Sequence, residues 1–104
     1  MLVCTTEGVA GREVAETLGL VRGSTVRAKH LGTDIVASLK NLVGGEIAGY
    51  SSMLGGAREQ AIDRMVEEAR GLGADAVVGA RLETSTVASN AAEIVAYGTA
   101  VRLR

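Results

Sequence analysis

Apolar positions alternate with a period of two along most of this chain, and in two stretches they switch to helical spacing. Leu2 to Thr6 is a short apolar, β-branched run closed by Glu7-Gly8, which predicts a first strand. Glu13 to Lys29 reads as extended. Val14, Leu18 and Leu20 fall on one face, and Val26 and Ala28 continue it beyond Gly23-Ser24. Because Val14, Ala15 and Leu18 also fit a helical turn, a short helix over 13–18 is the competing reading. Thr33-Asp34 then supplies a cap for a helix with Ile35, Val36, Leu39, Leu42 and Val43 on one stripe, stopped by Gly44-Gly45.

The second and longer helix begins at Ser52 or Gly56 and runs to Leu72. Leu54, Ala57, Ala61, Ile62, Met65, Val66, Ala69 and Leu72 form its apolar stripe. Glycine inside a helix costs ~1 kcal/mol, so Gly55-Gly56 favours the later start. Asp75 to Thr84 reads as a strand with Val78, Ala80 and Leu82 on one face and Arg81 and Glu83 on the other. Ser85 to Ala92 reads as a hairpin loop, and Ala92 to Leu103 as the last strand. With no repeat and no linker, residues 1–104 form one domain. The fold class is α+β: a small, mainly antiparallel or mixed sheet packed on two helices.

The last strand carries the strongest implication. Val95, Tyr97, Thr99, Val101 and Leu103 share one face, Ile94, Ala96, Gly98 and Ala100 the other, and no charge falls on either from Ile94 until Arg102. A strand that is apolar on both sides is normally covered on both sides. Two helices cover about one face of a small sheet, so the other face calls for a like subunit. The chain is expected to be a homo-oligomer.

Composition narrows the partners further. The chain has no Phe, Trp or Pro and only two Tyr, so its core depends on close contacts between small side chains and backbone. Net charge is -1 and stacking platforms are lacking, which argues against nucleic acid and anionic membranes. No apolar run reaches the ~20 residues that span a bilayer. Cys4 is the only cysteine and the N-terminus lacks a signal-peptide pattern, so a reducing, cytoplasmic setting is expected.

Five stretches together resemble the YbjQ-like family, whose members are described as heavy-metal-binding and are otherwise uncharacterised. They are Gly19-Leu-Val-Arg-Gly-Ser-Thr-Val-Arg-Ala28, Asp34 through Glu46, Ala57 through Met65, Gly73-Ala-Asp-Ala-Val-Val-Gly-Ala-Arg81 and Ala96-Tyr-Gly-Thr-Ala-Val101. The resemblance covers nearly the whole chain, in order. It implies a small α+β subunit assembled into a closed ring, a pentamer, in a bacterial or archaeal cytoplasm. Gly55-Gly56 departs from the family's stronger helix formers at that place.

Three candidate sites follow, each beside a plainer reading. For a metal ion, the chain offers one cysteine and one histidine, Cys4 and His30, far apart and without CxxC or HxxxH spacing. One Cys4 per subunit could still line a symmetry axis, while a small buried thiol is the simpler reading. For an anion, Arg22, Arg27, Lys29 and His30 precede the helix start at Asp34, although Asp34 opposes an anion and a solvated or intersubunit ion-paired face explains the charges equally well. For a ligand or catalytic loop, Gly44-Gly45-Glu46 leads to Tyr50, against the plainer reading of a helix cap and an interface anchor. No nucleophilic triad, P-loop or dinucleotide fingerprint is present, and no catalytic residue is assigned. The alternatives are a metal-binding protein using Cys4, His30 or interface carboxylates, and an enzyme with an intersubunit site around Glu46, Tyr50 and His30. No cofactor other than a metal ion is suggested.

Overall fold

A computed structural model describes residues 1–28, 48–88 and 91–104. Its elements are β1 (Leu2–Val3), β2 (Val14–Ala28), α1 (Ala48–Gly71), β3 (Ala76–Ala88) and β4 (Ala91–Leu103). They form one four-stranded sheet in the order β1-β3-β4-β2, with α1 against one face. β1 runs parallel to β3, and the other pairs are antiparallel, so the sheet is mixed. The α+β class and the extended reading of 13–18 hold. The helix expected over Asp34–Val43 lies outside the described residues, and α1 is the single helix among those described.

α1 starts at Ala48, earlier than either start expected from the sequence, and passes straight through Gly55-Gly56. Packing overrides propensity here. Ala57, Ala61, Met65 and Ala69 are all buried at spacings of four, and they rest on Val21, Ile94, Ala96 and Ala100. That stripe is mostly alanine, so the helix backbone can come close to the sheet. Thr25, the one buried polar residue among those described, lies under it and donates its hydroxyl to the Ala57 carbonyl at 3.0 Å.

Two bulges reset which side chains face the helix. In β2 the register slips between Thr17 and Gly19, and Gly19 takes a φ of +120°, a conformation open to glycine. Leu18 therefore packs on the core under α1, while Leu20 lies on the opposite face with 64% of its surface exposed. Beyond the bulge the core-facing positions are Val21, Gly23 and Thr25, and Val26 is 60% exposed. The single face expected for Val14, Leu18, Leu20 and Val26 is thus corrected. In β3 the slip falls between Val78 and Arg81 around Gly79, at φ +62°. It splits Val78, which packs with Ala76, Val101, Val9 and Leu103, from Ala80, which belongs to the core under α1.

The segment expected as a loop, 85–92, is largely strand. β3 continues to Ala88, β4 resumes at Ala91, and pairing extends to Ala88↔Ala91. Thr84, Thr86 and Val87 are β-branched, and their extended preference outweighs the small, polar composition that suggested a turn. The result is a long arm, and the molecule measures 54 × 25 × 17 Å. From Arg81 to Ala88 every residue of β3 is exposed. The opposite end is tied down by polar contacts. Leu103 N–H donates to the Asp75 carboxylate at 2.8 Å, Arg102 reaches Glu16 of β2 at 3.2 Å, and Arg104 reaches Glu13, just before β2, at 3.2 Å. These ion pairs are solvent-exposed and contribute little stability.

Candidate functional site

Cys4 follows β1 directly and continues its pairing with β3. Its N–H donates to the Val77 carbonyl at 2.8 Å, and its own carbonyl accepts from Ala80 N–H at 2.9 Å. The thiol is free and half-buried. No second cysteine exists in the chain, and among the described residues no three His, Cys, Asp or Glu side chains gather closely enough to hold a metal ion. A site on Cys4 would therefore draw its other ligands from beyond the described residues or from other copies.

The basic candidates are divided by the sheet. Arg22 pairs across from Tyr97, which in turn pairs across from Arg81, so the three form a row on the face away from α1. Arg27, an odd number of residues further on with no bulge between, lies on the α1 side and donates to Gln60 Oε1 at 2.8 Å. Strand periodicity alone separates these two cations, which sequence order had placed together. Tyr50 lies in the first turn of α1. Lys29, His30 and Glu46 lie outside the described residues.

Two concave places were not foreseen. One is an apolar hollow of about 270 Å³ on the α1 side, lined by Val3, Ile62, Met65, Ala80, Leu82 and Ala96. It exists because α1 packs chiefly over β2 and then β4, barely touching β3. Leu82 at its margin keeps 44% of its surface exposed. The other, about 510 Å³, lies between the N-terminal loop and the far face, with Glu7, Thr17 and Thr99 supplying its polar lining. The signal that could have foretold the first is the run of small residues facing the helix, which lets α1 sit close over β2 while β3 lies beyond its reach.

The far face is the larger feature. Leu20, Arg22, Ser24 and Val26 from β2 share it with Val95, Tyr97 and Thr99 from β4 and with Glu83 from β3. Among the described residues no helix covers it. No helix among them is long and apolar enough to cross a membrane.

A small helix-on-sheet domain, its far face uncovered by any described helix, is the class that the fold defines, and its relatives place it in a family. The chain belongs to the YbjQ family, whose model, described as "Putative heavy-metal-binding", matches residues 1–104. It is 61% identical over 104 residues to a UPF0145 protein of Archaeoglobus fulgidus, covering 100% of this chain and 96% of that one. A UPF0145 protein of Halorubrum lacusprofundi is 59% identical over the full length of both chains. A third, from Clostridioides difficile, is also 59% identical, covering 99% of this chain and 92% of its own. Among solved structures, a crystal structure of a DUF74-family protein of unknown function from Pediococcus pentosaceus superposes with a TM-score of 0.64. It shares 16% identity and covers 100% of this chain and 98% of its own, a likeness of fold alone.

Proposed function

We propose that this chain is the subunit of a homo-oligomeric scaffold, a closed ring of like copies. The observation that carries this reading is the far sheet face. Leu20 and Val26 are 64% and 60% exposed there, beside an arm of β3 that is bare on both faces. Exposed apolar side chains along one face of a rigid sheet, beside the apolar far-face positions Val95 and Tyr97, suit an interaction surface. Like copies are its simplest partner, and closed symmetry its usual outcome. The family resemblance suggests five copies, and the single free cysteine suits a reducing cytoplasm. Size-exclusion chromatography with light scattering at micromolar concentration tests the reading, and a monomer overturns it.

The family's description favours a second reading, in which the assembly holds a heavy-metal ion between subunits. Cys4 is the soft ligand available for a metal, and assembly would repeat it around an axis; His30 is the other candidate. Protein purified without a His-tag is expected to retain metal by elemental analysis, and Cys4→Ser is expected to lose it. Equal metal content in both proteins removes Cys4 from the ligand set. An enzymatic site shared by Glu46, Tyr50 and His30 has no described geometry to support it.

A further inference from the structure

The sheet ends in two strand edges, and their sequences fit one another. β4 lies between β2 and β3, so β2 forms one edge along its whole length. Among the described residues, β3 is shielded on its outer side only near its start, where Cys4 and Thr6 bond to Val77, Gly79 and Ala80. From Arg81 to Ala88, eight residues, no described strand pairs with its outer edge. Natural sheets usually protect such edges with proline, lysine or a covering element. Here the chain has no proline, and neither Val14–Ala28 nor Ala76–Ala88 contains a lysine.

Both edges run antiparallel to β4 and therefore parallel to each other. On the far face the open part of β3 presents Glu83 and Ser85 before the register slips again between Thr86 and Ala88, and β2 presents Arg22, Ser24 and Val26. All five are exposed. A parallel pairing that sets Ser85 of one copy beside Ser24 of the next also sets Glu83 beside Arg22. One register thus matches an acid with a base and a polar residue with a polar residue.

We propose that copies of this chain join edge to edge, the Arg81–Ala88 edge of β3 in one copy pairing in parallel with the Arg22–Val26 stretch of β2 in the next, so that the sheet continues across subunits. This rests on the oligomer reading above and adds the mode of contact. Pairing β3 with β3 would leave the arm bare on both faces, because α1 barely touches β3 in either copy. Pairing β3 with β2 instead brings it beside a strand that α1 already covers. The helix packs on Gly23 and Thr25, and Arg64 reaches down to the Ser24 carbonyl at 2.6 Å. The next copy's helix then lies alongside Leu82 and the apolar hollow. Because the joint uses two different surfaces, it is head-to-tail and leads to a ring when the rotation closes.

Disulfide trapping tests it on the full chain. In a Cys4→Ser background, which removes the only native thiol, Ser24→Cys and Ser85→Cys are introduced singly and together. Within one copy the two positions are separated by β4, at roughly 9.6 Å for two strand spacings. Bridging needs Cα atoms within about 7 Å, so any disulfide formed by the pair links different copies. The expected result is a ladder of covalent multimers on oxidation of the double variant, with each single variant remaining one chain wide on a denaturing gel. Covalent dimers from either single variant would overturn the head-to-tail pairing. An oligomer by light scattering with no ladder in the double variant would overturn edge pairing while leaving the oligomer intact. A monomer by light scattering would overturn both.

Discussion

Gly23→Ala is expected to destabilise the protein by about 3 kcal/mol or more, at the upper end of what overpacking a core costs. Gly23 lies under α1, and a Cβ there would run into the Ala61 carbonyl oxygen and the Met65 amide nitrogen, with Arg64 Cβ only 2.7 Å away. The obstacles are chiefly helix backbone, which cannot rotate aside as a side chain can. Relief would require α1 to lift from the sheet and would loosen the burial of Ala57, Ala61 and Met65 together. Urea unfolding measures the effect as a lower midpoint with an unchanged slope. Gly8→Ala is the control: nothing lies within 4 Å of an added Cβ there, and a change within about 0.5 kcal/mol is expected. Equal midpoints for Gly23→Ala and Gly8→Ala would mean that the close helix–sheet contact is not what holds the fold.

The second large effect is on assembly. Leu20→Asp combined with Val26→Asp is expected to convert the oligomer to monomers at micromolar concentration, with the far-ultraviolet circular dichroism preserved. Both side chains are mostly exposed in the isolated subunit, so the substitutions leave its core unchanged. In an assembly that buries this face, each copy would bring two unpaired carboxylates into a contact with little water, where an uncompensated charge is costly. Unchanged mass in light scattering would show that assembly does not use the far face. Loss of the circular dichroism signal would mean that the substitutions act on the fold.

How much of this was legible in the residues depends on what each feature needs. Strand and helix identities follow from periodicity, and Val14–Ala28, Ala76 onward and the last strand were found that way. Facing was harder. One extra residue at Gly19 and another at Gly79 exchange the two sides of a strand, and alternation counted across either bulge gives the wrong partner set. The helix start is misplaced from sequence because Gly55-Gly56 is unfavourable locally, while the benefit that offsets it comes from Ala57 and Ala61 of α1 packing on strand residues distant in sequence. Composition suggested a loop at Ser85–Ala92, and pairing between β3 and β4 made it an arm.

The candidate sites were less legible still, because a strand sends neighbouring residues to opposite sides. Arg22 and Arg27 looked like one basic cluster in order and stand on opposite faces in space. What the sequence did reveal was the need for cover. The apolar positions of Ile94–Leu103 on both faces pointed to a covered sheet, and one of those faces meets α1 while the other meets no helix among the described residues.

The most direct test of that central claim is the mass of the native protein in solution, by light scattering on the eluting peak at micromolar concentration. The account predicts an integral multiple of the 10.6 kDa subunit, five-fold for the proposed ring. A mass of 10.6 kDa would contradict it.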